Sequence, residues 1–343
     1  MLTGFQPKVT IPSAQYLRHR DAHTELTLPV GKIHCAVSVT KGRGSIITGA
    51  VGPFNNTVVD IGLDDLADSL FSSISTYCHC GIGTSLPATG NTALENFFAA
   101  TNTIQDSVSD INAIPPYFSR RIITYRFAAG TFDGDQSITE VAISDQATTG
   151  GIFARALVRD PQNDFAIVSP LTDEWLDVTY EFRLYPDHIN ADGTPNDLTG
   201  VINVWGSNHN FWMRPAFVSN IVYWNANAAR AQWIALSGSW AAFFASTSVL
   251  GAVTGEPTNP SGADATSNGS EIYHATYIPG DHARNIQLSI GSTDGNASGG
   301  IGAMRFHTGF GAYQIRFAPA IPKDVTKSWT FVVALNWADA GLN

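Results

Sequence analysis

From Tyr117 onward the chain breaks into short runs of β-branched and aromatic residues separated by turn residues, and it is almost purely β in character. Arg121-Ile-Ile-Thr-Tyr-Arg-Phe127 is one such run, and the Asp133-Gly134 turn signal follows it. Ile138–Ile143, Gly151–Val158, Phe165–Ser169 and Leu176–Tyr185 succeed it at short intervals. Strands that follow one another without crossover helices do not build a βαβ sheet; they pair as a sandwich or jelly roll. The expected fold is therefore mainly β: tandem antiparallel β-sandwich or jelly-roll units, with one or two short helices near the N-terminus.

Those helices belong to the mixed region that ends near Pro116. Leu28 to Val51 reads as strands broken at Gly42-Arg43-Gly44, with Ile33, Cys35, Val37 and Val39 alternating as on a half-buried strand. Then the period changes. Leu63, Leu66, Leu70, Phe71 and Ile74 fall at helical spacing behind Gly62, and Asp64 and Asp65 suit a helix N-terminus. A one-sided helix of three turns is expected there, and a weaker one over Ala93–Ile104, capped by Asn91-Thr92. Three regions follow: residues 1–116, mixed; 117–186, a β-rich unit continuing the first domain; and 187–343, a Trp-rich C-terminal β-sandwich. The boundary is placed in Pro186–Gly200, which is rich in Pro, Gly, Asn and Asp, and a second exposed loop is expected over Gly255–Gly269.

Composition excludes several function classes. Charged residues make up 14% of the 343, against about 25% in ordinary soluble domains, so Ser, Thr and Asn supply much of the polar surface. The net charge is −10, and no stretch concentrates the basic residues beyond pairs such as Arg18–Arg20 and Lys41–Arg43. No nucleic-acid partner is expected, because phosphate binding needs a basic face. Cys35, Cys78 and Cys80 are too few for a disulfide framework and odd in number, which fits a reducing compartment; the start of the chain has no signal-peptide pattern. Ala231–Leu250 is uncharged and long enough to span a bilayer, but Ser237-Gly238-Ser239 reads as a turn. Two buried strands joined by a hairpin are expected instead, and no membrane insertion.

Cys78-His79-Cys80, with His34-Cys35 upstream, has zinc-ligand residue types but lacks the spacer that lets paired thiolates reach one ion. Core packing is the expectation, and no metal or cofactor is assigned. Asp173, Glu174 and Asp177, or Asp133 and Asp135, are carboxylate pairs of the kind a glycosidase needs; beside turns they read as solvated loop residues. No Gly-x-Ser-x-Gly elbow and no phosphate-binding Gly-rich loop occurs, so no catalytic residue is assigned and the chain is not expected to be an enzyme. Asn190–Asp197 and Ser292–Asn296 offer oxygen ligands for calcium without the terminal Glu, and read as turns. The aromatic group Trp205, Phe211, Trp212, Tyr223, Trp224, Trp233 and Trp240 is the candidate interface or sugar-contact set, since aromatic faces dominate interfaces and stack on sugar rings.

A weak internal echo is present. Trp175–Pro186 is similar to Ser328–Trp337, and each follows a Gly-containing strand, Gly151–Leu157 and Gly311–Phe317. Two related sandwiches in tandem would produce it.

Cys80-Gly-Ile-Gly-Thr-Ser-Leu-Pro-Ala-Thr-Gly-Asn-Thr-Ala-Leu94 resembles a segment recurrent in phage tail-fibre and minor virion proteins. Tyr125–Gly130, Ile138–Ile143, Phe153–Leu157 and Leu176–Tyr185 are similar, in the same order, to successive strands of those proteins. The likeness covers about residues 75–186, with a fainter match from Ile321-Pro-Lys to Leu335-Asn-Trp337. It transfers no functional residue. The resemblance implies a virion structural protein of a bacteriophage, assembled in the host cytoplasm, in a tail, tail fibre or appendage. Its partners would be copies of itself, a trimer being preferred, and other virion proteins, with host surface carbohydrate for the Trp-rich half. The first 116 residues would be the particle-attachment part. Two alternatives stand beside it: a carbohydrate-recognising receptor-binding module, and a head-decoration or capsid-associated protein.

Overall fold

A computed structural model describes residues 21–160, 162–232, 241–258, 264–266 and 271–339. The chain opens on a long strand, β1 (Asp21–Arg43), and turns at Gly44-Ser45 into β2 (Ile46–Asn55). A short β3 (Thr57–Val58) leads to two helices, α1 (Asp60–Asp65) and α2 (Phe71–Ile74). β4 (Tyr77–Gly81), β5 (Phe97–Thr101), β6 (Ile104–Asn112), β7 (Phe118–Phe127), β8 (Glu140–Ser144), β9 (Ile152–Leu157) and β10 (Trp175–Tyr185) complete the first half. The second half holds β11 (Leu198–Val204), β12 (Ser207–Ala216), β13 (Ala241–Phe244), β14 (Asp264–Thr266) and β15 (Glu271–His274). It ends with β16 (Ala283–Ile290), β17 (Ile301–Thr308), β18 (Gly311–Ile321) and β19 (Ser328–Asp339). The protein is mainly β with two short helices near its N-terminal end.

Three sheets form among the described residues. The large one has the order β15-β16-β19-β1-β10-β7-β6, with β2 added on β1; the others run β11-β12-β18-β17-β13-β14 and β3-β9-β8-β4-β5. The large sheet backs both smaller ones. On one side Phe182 of β10 meets Phe153 of β9 edge-on at 5.9 Å and stacks on Phe71 of α2 at 4.0 Å. On the other, Trp329 and Phe331 of β19 meet Phe317 of β18 and Phe306 of β17 at 5.9 and 5.7 Å. These contacts are the two ends of one hydrophobic core, since side chains of all three sheets belong to it.

The same succession of pairings occurs twice. β6 and β7 form a hairpin in the large sheet, β8 and β9 a hairpin in the five-stranded sheet, and β10 returns to the large sheet. β15 with β16, β17 with β18, and finally β19 repeat that path against the six-stranded sheet. β4 lies beside β8 as β13 lies beside β17, and β3 beside β9 as β12 beside β18. β1 is the seam. It pairs antiparallel with β10 over Lys32–Gly42 and parallel with β19 over Asp21–Ile33, with a register shift between Pro29 and Lys32. The strands that echo one another in sequence, β9 with β18 and β10 with β19, hold equivalent places. The expected boundary at 186/187 falls between β10 and β11, and the large sheet takes strands from both sides of it.

Local expectations fare unevenly. The strand pair broken at Gly42-Arg43-Gly44 forms as β1 and β2. The three-turn helix is instead split into α1 and α2. Arg284 Nη1 donates to Ala67 O at 2.6 Å, taking the carbonyl a continuous helix would use, and Phe71 N turns to Ala229 O at 3.3 Å. The helix expected over Ala93–Ile104 is the strand β5, because Phe97–Thr101 completes a pairing with β4. Phe165–Ser169 makes isolated bridges at Phe165 and Val168 rather than a strand. Of the hairpin expected within Ala231–Leu250, β13 is seen; 233–240 lie outside the described residues. No helix among the described residues is long and apolar enough to cross a membrane.

Candidate functional site

Strand alternation gives the six-stranded sheet two unlike faces. Phe211, Met213, Ile315, Phe317, Met304 and Phe306 point into the core. The residues between them point outward, and the ladder sets them side by side: Trp212 opposite Arg316, Arg214 opposite Gln314, and Arg305 opposite Gln314 on its other flank. The outer face thus carries three arginines and a tryptophan beside an apolar cluster of Ala242, Phe244 and Ala303, and is partly covered by the segment after β13.

Each charge on that face has its own setting. Arg214 makes a two-pronged bond to Asp197, Nε to Oδ1 at 2.7 Å and Nη2 to Oδ2 at 2.5 Å. Arg305 pairs with Glu256 and lies over the Phe217 ring, 5.4 Å from its centroid. Gln314 ties down the covering segment, accepting from Gly251 N at 2.8 Å and donating to Ala252 O at 3.0 Å. Arg316 lies 5.5 Å from the Trp212 ring centroid, half-buried, with no hydrogen-bond acceptor or carboxylate among the described residues. Asp197, Trp212, Arg214, Val249, Leu250 and Arg316 line a cleft of about 200 Å³.

The aromatic set is dispersed by the fold. Phe211 and Trp224 are buried; Trp224 donates its indole N–H to Ala216 O at 2.8 Å. Tyr223 is half-buried between Phe217, stacked at 4.2 Å, and His307, edge-on at 5.1 Å. Trp205 sits in the β11–β12 turn with the Lys327 ammonium over its ring. Trp233 and Trp240 lie outside the described residues. Trp212 lines the cleft described above. Period-two alternation in Trp212-Met-Arg214 and Gln314-Ile-Arg316 marks these as one-face residues; nothing local in the sequence shows that the two strands pair.

The outer face of the five-stranded sheet, which occupies the equivalent place in the first unit, is closed. Glu140 is fully buried and accepts from Gly83 N, Glu95 N and Asn96 N at 3.0, 3.1 and 2.8 Å. Arg155, 1% exposed, donates to Glu140 at 2.9 Å and reaches Asn91 Oδ1 and Ser85 O. The segment between β4 and β5 is therefore folded over a charge pair that it helps to satisfy.

The remaining chemical candidates are engaged elsewhere. Cys78 and Cys80 point into the core and burial pushes both thiols up, away from the thiolate that binds metal. His79 faces the other side of β4, bonded to Gln146 O at 2.7 Å, so it cannot join them. Among the described residues no group of three or more His, Cys, Asp or Glu is placed to hold a metal ion. Asp173 pairs with Arg43, Asp177 with Arg126, and Glu174 with Lys41. Thr48, Leu171 N and Lys41 hold the Glu174 carboxyl down at about 2. Asp133 and Asp135 are exposed turn residues. Within Asn190–Asp197, Asp192 binds Thr194 and Asp197 binds Arg214. In Ser292–Asn296 the oxygens meet a cation already: Lys323 Nζ donates to Ser292 O and Asn296 Oδ1 at 3.3 and 3.1 Å.

Comparison with protein-family models, curated proteins and solved structures finds no match to this chain.

Proposed function

We propose that this chain is a non-enzymatic structural subunit of a bacteriophage particle, in its tail or an appendage, that works by assembly with copies of itself and neighbouring virion proteins. The particle is inferred from the resemblance of residues 75–186 to phage tail-fibre and minor virion proteins. Assembly is inferred from strand β6. It closes one edge of the large sheet, bonded to β7 on one side and to no described strand on the other. Its nine residues include neither Pro nor Lys, which commonly block edge pairing, and Ile104 and Val108 are 48% and 40% exposed. An extended segment of another copy adds to such an edge by main-chain hydrogen bonds. The test is the mass of the purified full chain by light scattering coupled to size exclusion. A stable trimer or larger ring is expected; a clean monomer overturns the assembly reading.

A carbohydrate-recognising module is the second reading, favoured by the one-tryptophan cleft at Trp212. Quenching of tryptophan fluorescence that is relieved by added sugar tests it.

A further inference from the structure

The outer-face arginines differ in a way that the two-fold repetition of the topology makes plain. Arg155 of β9 and Arg316 of β18 lie on the outer faces of equivalent strands. Arg155 is sealed by Glu140 and by the segment between β4 and β5. The equivalent segment after β13 reaches the second face as well, supplying Glu256 to Arg305 and Gly251 O to Arg214. Its Val249 and Leu250 form a wall of the cleft, and among the described residues no carboxylate pairs with Arg316. Arg155, Arg214 and Arg305 thus have acidic partners, and Arg316 has an indole ring.

We propose that the cleft lined by Trp212 and Arg316 binds one carboxylate-bearing sugar residue, of the uronic acid class. A guanidinium presents paired N–H donors that match a carboxylate, and an indole face suits the C–H face of a pyranose ring. The charge count selects the same ligand: Asp197 cancels Arg214, so Arg316 leaves one positive charge, which one carboxylate balances. A neutral sugar would cover Trp212 and leave the guanidinium unpaired. Size limits the ligand to a single ring, since the cleft of about 200 Å³ is smaller than the roughly 300–1,000 Å³ of drug-sized sites. The proposal does not rest on the assembly reading; either can fail alone.

The experiment is ligand-observed NMR titration of the full chain with methyl glucuronide and methyl glucoside, on the wild type and on Arg316→Gln and Trp212→Ala. The glucuronide is expected to bind at least about tenfold more tightly than the glucoside, the discrimination of one charge-assisted hydrogen bond. Arg316→Gln should remove that preference and keep the weak glucoside signal. Trp212→Ala should lose both signals while circular dichroism and the thermal midpoint stay at wild-type values. Equal binding of the two glycosides, no binding of either, or a preference that survives Arg316→Gln overturns the proposal. So does competition by acetate as strong as that by the glucuronide, because the ring would then contribute nothing. If Arg316→Gln lowers the oligomer mass, the arginine belongs to a subunit contact and the sugar assignment falls. Failure of the wild type to bind the glucuronide while its oligomer is intact sinks this site alone.

Discussion

His307 is 2% exposed and neither of its ring nitrogens finds a hydrogen-bond partner among the described residues. Burial, with Arg305 nearby, holds its pKa down to about 3. In the unfolded chain the same ring takes a proton near pH 6.5. Between those values the unfolded state binds more protons, so stability is present above pH 6.5 and is lost as pH falls toward 3. A full proton of difference is worth about 1.4 kcal/mol per pH unit. Asp65 acts in the opposite sense. Burial, Asp145 and Asp64 raise its carboxyl from 3.8 to about 6, so its contribution is present below pH 3.8 and is lost as pH rises through 6. Urea midpoints between pH 4 and 8 separate the two. His307→Phe should flatten the acid-side slope, and Asp65→Asn should gain stability over the wild type at pH 7 relative to pH 4. A slope unchanged in His307→Phe would mean that the ring is not the group that titrates.

The segment between β4 and β5 shows at the scale of elements what a buried charge pair does. Glu140→Ala leaves Arg155 buried without its carboxylate, which typically costs about 3–5 kcal/mol. Asp110→Ala breaks a pair of comparable geometry at a half-exposed site, Arg120 Nε to Oδ1 at 2.6 Å, where about 0–1 kcal/mol is usual. Chemical denaturation of the two variants should therefore differ severalfold in effect, and equal losses would show that Glu140 is not buried as described. The edge of the large sheet makes a second prediction. Val108→Lys places a charge on β6, and it should lower the oligomer mass while the thermal midpoint of the subunit stays within a few degrees; an unchanged mass would move assembly to another surface. Strands of this kind were legible, because alternation in β1, β7 and β10 is strong. The segment before β5 was not. Asn91, which reads as a helix cap, instead accepts on its side-chain oxygen from Ala88 N and Arg155 Nη1. A cap residue recruited by a partner 64 positions away carries no local sign of it.

Over the whole molecule, the echo between Trp175–Pro186 and Ser328–Trp337 was the visible trace of a topology that runs twice. Its centre was hidden, since β1 and β19 pair across some three hundred residues and no local pattern announces such a contact. Arg316 and Trp212 were hidden for the same reason: each reads as an outward residue of its own strand, and the ladder between strands creates the site. The shared sheet predicts how the chain comes apart. A protease site introduced between Asp192 and Gly193, in the exposed turn between β10 and β11, would cut the backbone where the sequence places a boundary. The two pieces should remain together, because β1 of the first bonds to β19 of the second, Trp329 Nε1 donates to Thr24 Oγ1 at 3.0 Å, and Trp337 Nε1 donates to Leu63 O at 2.8 Å. The nicked protein should elute at the mass of the intact one and release its fragments only in denaturant. Its urea midpoint should rise with concentration, as it does when folding includes association. Fragments that separate in native buffer while each keeps its β-sheet circular dichroism would show two independent domains, and would mean that the seam through β1 contributes little to holding the halves together.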